Sequence, residues 1–189
     1  MDDLEDKQHA LLFDVRRSVR YHRRRGRFFD LWGKVTSGLN IVAGSAAAGS
    51  FLAAQSVLAA CAGLVVVVAS TIDLVVSSSM KARDHFDLAK RFIGLEIDLE
   101  RQERHSEASL RAITERRLLI EADEPDVLRT LDLMCHNELV RALGYGQEQM
   151  KPIGWLKRQL AQFVSFDADA TTPKALAPPV SKDSKTLPS

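Results

Sequence analysis

Residues 35–72 lie between Lys34 and Asp73 without one Asp, Glu, Lys, Arg or His. An uncharged run about twice as long as one bilayer crossing has room to traverse a membrane and return. The expected fold is therefore all-α, built on a two-helix transmembrane hairpin over residues 35–79. Its flanks decide which side of the membrane the remainder occupies.

Both flanks are basic. Arg23 to Lys34 precede the run, and Lys81, Arg83, Lys90 and Arg91 follow it. By the positive-inside rule both sides are cytoplasmic, which requires an even number of crossings. Both termini are then expected in the cytoplasm. The formal net charge of +1 over 189 residues conceals this local pattern, and it shows no overall excess that would point to nucleic acid. The opening Met-Asp-Asp-Leu-Glu-Asp is acidic where an export signal would be basic.

Four segments are expected: a basic amphipathic helix over 1–34, the hairpin over 35–79, a cytoplasmic helical bundle over 80–166, and a disordered tail over 167–189, rich in Pro, Thr, Ser, Ala and Lys. In the first, Leu11, Leu12, Val15, Val19, Phe28, Phe29, Leu31 and Trp32 recur at roughly helical spacing. The arginines from Arg16 to Arg27 surround Tyr21 just before the hairpin. Arg20, Arg23, Arg24, Arg25 and Arg27 are the expected anchor to anionic headgroups, with Trp32 at the interface. An arginine run with aromatics also suits nucleic acid, but its place against an apolar hairpin already accounts for it.

The first crossing, about 35–54, is rich in Gly, Ala and Ser and only weakly hydrophobic. Ser45, Gly49 and Ala53 repeat at four-residue steps, as do Gly44 and Ala48, giving a face that another helix can approach closely. That face packs on the second crossing of the same chain alone, or also lines a homo-oligomer. Gln55-Ser56 is the expected turn, and 58–72 the stronger crossing. Asp73 is costly within hydrocarbon unless it faces protein or water. Asn40, at comparable depth, is a candidate hydrogen-bond partner; alternatively Asp73 marks the end of the crossing. Asn40, Ser45, Gly49, Ala53 and Asp73 are the candidate pore or interface residues.

Beyond Ser79 the second crossing is expected to run on into a cytoplasmic helix. It carries two apolar stripes, Phe86/Ala89/Ile93/Ile97 and Leu88/Phe92/Leu95/Leu99. Further helices are expected over about 107–121, from the Asp123-Glu124-Pro125 cap to Leu143, and over about 152–163. The last, with Trp155, Leu156, Leu160, Phe163, Lys157 and Arg158, suits either the membrane surface or closure of the bundle.

Catalytic and metal-binding signatures are missing: there is no Gly-rich phosphate loop, no cysteine pair at metal spacing and no Gly-x-Ser-x-Gly elbow. Cys61 and Cys135 read as small buried hydrophobes, and the five histidines are scattered. Asp84-His85-Phe86-Asp87 reads as solvated ion pairing rather than a metal site. A non-enzymatic protein without cofactor or metal is expected.

The segment Tyr21-His22-Arg23-Arg24-Arg25-Gly26-Arg27-Phe28-Phe29-Asp30, then Thr71-Ile72-Asp73-Leu74-Val75 and Ala82-Arg83-Asp84-His85-Phe86-Asp87-Leu88-Ala89, resembles the SLATT family. These are bacterial two-crossing membrane modules associated with SMODS nucleotidyltransferases and SLOG sensor domains. The resemblance covers roughly 18–98, and the continuation through 121–125 and 135–139 looks like stand-alone members. It implies an effector of bacterial conflict systems, including anti-phage abortive responses, that oligomerises into a pore when a nucleotide or sensor signal arrives. No fused nucleotidyltransferase or SLOG domain is present, so the trigger is either a separate protein, or its nucleotide product, or is sensed by the helices after Lys81.

Overall fold

The computed structural model describes residues 2–53, 56–102 and 105–165. Every regular element among them is helical: α1 (Asp2–Leu52), α2 (Ser56–Val76), α3 (Ser78–Glu100), α4 (Glu107–Ala122), α5 (Arg129–Ala142), a short 3₁₀ turn at Gln147–Gln149 and α6 (Trp155–Leu160). The expected helix end near Lys34 is absent. No proline interrupts residues 35–52, so α1 runs on although its glycines are weak helix formers. Gln55 of the expected turn and the expected tail lie outside the described residues, save that Ser56 opens α2.

The chain divides into two compact units. The first combines residues up to Tyr21 with those from Leu88 onward. Its main core joins Leu11, Val15 and Val19 of α1, Leu88, Phe92, Leu95 and Leu99 of α3, and Leu110, Ile113 and Ile120 of α4. Steps of three and four place each set on one helix face. Of the two stripes expected on α3, the one through Leu88, Phe92, Leu95 and Leu99 is the core stripe, whereas Ile97 is exposed.

A different face of α1 receives α5. Phe13 clusters with Leu139 and Val140, and Tyr21 with Leu131, Met134, Cys135 and Ala161. The helix expected from Asp123 begins only at Arg129. Asp123 caps the end of α4 and its carboxylate meets Arg91 at 2.7 Å. The N–H of Leu128, the N-cap residue of α5, donates to the Tyr21 hydroxyl at 2.9 Å. A tertiary bond thus supplies what a local side-chain cap would otherwise give. The last helix is also shorter than expected. Asn137 bonds both the N–H and C=O of Lys151, which holds the chain out of helix until Gly154.

Arg16 and Arg17 are engaged in half-buried ion pairs of this unit. Arg16 pairs with Glu96 at 2.8 Å and also with Glu100, and Arg17 reaches Asp132 at 3.2 Å. Burial pushes the Asp132 carboxyl above its ordinary range, with Arg17 opposing the shift.

Candidate functional site

The second unit, His22–Asp87, contains the rest of α1, all of α2 and the opening of α3. Along α1 the residues turned inward are Gly26, Phe29, Gly33, Thr36, Asn40, Ala43, Ala47 and Ser50, fully or half buried. They alternate in steps of three and four, a 3.5-residue period that keeps one seam facing a partner helix. On α2 the matching set is Ala59, Ala62, Val66, Ala69, Asp73 and Val76. Small side chains on both sides bring the helices close. A Cβ added at Gly26 would fall 2.9 Å from Cε1 of Phe86, and one at Gly33 would fall 3.0 Å from Oγ of Ser78.

The polar groups of the uncharged run are accounted for mostly within it. Asn40 Nδ2 donates to Ser70 Oγ at 3.1 Å, so its partner is Ser70 rather than Asp73, one turn away. Asn40 Oδ1 is buried with no partner. Ser78 Oγ donates to an Asp73 carboxylate oxygen, across the break at Ser77, whose φ of 51° separates α2 from α3. Asp73 therefore staples that break. Thr36, Ser45, Thr71 and Ser77 return their hydroxyls to carbonyls of the preceding turn, which leaves these hydroxyls satisfied without water.

The Ser45, Gly49 and Ala53 face is exposed, as are Gly44 and Ala48, and nothing lies within 4 Å of a Cβ built at Gly49. This face therefore does not pack on α2. The large apolar residues of the unit also point outward, among them Leu31, Val35, Ile41, Val42, Leu64, Val67, Leu74 and Val75. Among the described residues one helix, Ser56–Glu100 taken through the Ser77 break, is long and apolar enough to cross a membrane, and only 6% of its most apolar window is buried. Cys135 is buried as expected, but Cys61 is exposed, because it lies off the α2 seam.

At the foot of this helix pair one of the expected anchor residues, Arg25, lies against an aromatic and imidazole cluster. Arg23 and Arg27 are exposed, and Arg24 and Arg25 half-buried. The Arg25 guanidinium lies 4.5 Å over the Phe29 ring and Lys81 Nζ 5.5 Å from it. Phe29 stacks on His85 with centroids 5.7 Å apart, and Phe28 neighbours Trp32. Arg20 is exposed in the first unit.

His22 and His85, read from sequence as scattered, meet here, and no local signal pairs them. His85 thus turns inward, while Asp84 and Asp87 are exposed. Burial, reinforced by His22, Arg25 and Lys81, pushes the His85 pKa down to about 4. Among the described residues no group of three or more His, Cys, Asp or Glu is placed to hold a metal ion. A cleft of about 400 Å³ in the first unit, bordered by Asn137, Glu138, Arg141, Lys151 and Arg158, carries both charge signs.

No family model matches the sequence, and neither a curated protein nor a solved structure matches it.

Proposed function

We propose that this chain is a non-enzymatic bacterial membrane effector whose hairpin, residues 35–79, spans the inner membrane twice with both termini cytoplasmic. The observation that carries the reading is the outward band of Leu, Val and Ile on the second unit. Such a surface is unfavourable in water by roughly 25 cal/mol per Å² and costs nothing in lipid. The self-satisfied hydroxyls and the basic, aromatic foot are what a hydrocarbon solvent and an anionic headgroup layer ask of a helix pair.

The resemblance to SLATT modules supports an abortive-infection role, with a nucleotide or a separate sensor protein as trigger and a pore as output. A signal acts on such an assembly only through differential affinity for its closed and open arrangements. With Asn40 and Asp73 engaged inside the protomer, the exposed Ser45/Gly49/Ala53 face is the one offered to a second copy, and the small side chains allow close helix approach. Overexpression of Gly49→Leu beside the parent, read as membrane permeability, tests this. Leakage is expected to be lost with membrane retention unchanged; leakage equal to the parent's in both Gly49→Leu and Asp73→Ala removes the proposed lining.

A second reading, a soluble or membrane-scaffolding helical interaction protein without pore activity, draws on the Gly, Ala and Ser content of residues 35–53, which keeps that stretch only weakly apolar. Carbonate extraction separates it: a chain released into the supernatant is not an integral hairpin.

A further inference from the structure

The outward face of α6 belongs to no core in the first unit. Trp155 is 74% exposed, and Leu156, Leu160, Phe163 and Val164 are exposed with it. The inward side is Ala161, which joins the Tyr21, Leu131, Met134 and Cys135 cluster. The helix is thus fastened by its small residue and turns its large ones to the outside, the reverse of a helix that closes a bundle.

The charge around this face selects its occupant. Residues 149–165 contain Lys151, Lys157 and Arg158 and not one Asp or Glu. A Trp and Leu face on a segment whose own charges are all basic is the composition of a segment lying in the plane of an anionic bilayer surface, with the indole at headgroup depth and the cations on phosphate. Six residues are too few for tight binding alone. In a chain already held in the membrane the contact is intramolecular, and high effective concentration makes a weak site sufficient.

We propose that α6 and the residues up to Val164 dock on the anionic cytoplasmic leaflet as a second, peripheral membrane contact. This rests on the hairpin reading above, and the chain's two tryptophans separate the two claims: Trp32 reports on the hairpin and Trp155 on α6.

The full chain is reconstituted in mixed phosphatidylcholine–phosphatidylglycerol vesicles whose acyl chains carry bromine near the headgroup. Tryptophan emission is read in Trp32→Phe, which leaves Trp155, and in Trp155→Phe, which leaves Trp32. Bromine is expected to quench most of the emission of both. Quenching of Trp155 is expected to fall in pure phosphatidylcholine and in a Lys157→Glu, Arg158→Glu variant, with Trp32 unaffected. Trp155 quenched by aqueous acrylamide but not by bromine, beside a quenched Trp32, overturns the docking and leaves the hairpin standing. Trp155 shielded from both quenchers means that residues 166–189 or a second copy cover the face, which also overturns it. If bromine quenches neither indole, the hairpin reading fails and the docking fails with it.

Discussion

His22 and His85, 63 positions apart, face each other Nδ1 to Nδ1 at 3.0 Å. They are 1% and 4% exposed. One ring must donate its Nδ1–H to the bare Nδ1 of the other, so the contact exists only while at least one of these nitrogens is unprotonated. It ties α1 to α3 beside Phe29, the ring against which Arg25 and Lys81 also lie.

This pair predicts an acid-sensitive hairpin foot. Unfolded, His85 titrates near the ordinary imidazole value of 6.5; folded, burial brings this down to about 4. Between these values the unfolded state binds the extra proton, so the contribution of His85 to stability is intact above about pH 6.5 and is lost as the pH falls to about 4. Burial raises the Asp132 and Glu121 carboxyls, which act in the opposite direction as the pH falls, so the effect of His85 is read by difference: the thermal midpoint of the purified protein is expected to drop over this window relative to that of a His85→Asn variant. A difference in midpoint between the parent and His85→Asn that stays level from pH 7 to 4 contradicts a buried neutral His85.

The close approach at Gly26 gives a pair of opposite substitutions. Gly26→Val drives a branched side chain into the Phe86 ring and is expected to destabilise by about 1–3 kcal/mol. Gly94, in α3 with nothing within 4 Å of a Cβ, gains about 0.5–1 kcal/mol on Gly94→Ala from helix propensity alone. Chemical denaturation of the two variants beside the parent checks the signs.

Tyr21→Phe removes the acceptor of the Leu128 N–H while keeping the ring in its cluster. The orphaned amide is expected to cost about 1–3 kcal/mol. Hydrogen exchange at Leu128 and in the first turn of α5 is expected to accelerate more than exchange in α4.

The two α3 stripes differ in energetic weight. Phe92, with no exposed surface, is expected to cost about 3–5 kcal/mol as Phe92→Ala. Ile97, 53% exposed, is expected to stay within about 0.5 kcal/mol as Ile97→Ala. Denaturation midpoints distinguish them.

Local pattern is enough to show that this chain is helical, that residues 35–72 are unlike the rest, and that α4 starts behind Ser106 with Glu107 in its first turn. Spacing and hydropathy act over a few turns, and those turns are contiguous in the chain. Which face of a helix is used is a different matter. Along α1, the Ser45/Gly49/Ala53 stripe and the Thr36/Asn40/Ala43/Ala47/Ser50 seam are built from the same small residues. Only the register of α2 against α1 turns the second inward and leaves the first outside. The same register gives Asn40 to Ser70, the placement of α3 gives His22 to His85, and packing onto α3 and α5 engages Arg16 and Arg17 of the basic run in ion pairs. Contacts between residues dozens of positions apart leave no periodic trace, because their energy depends on how whole helices align rather than on what stands next along the backbone.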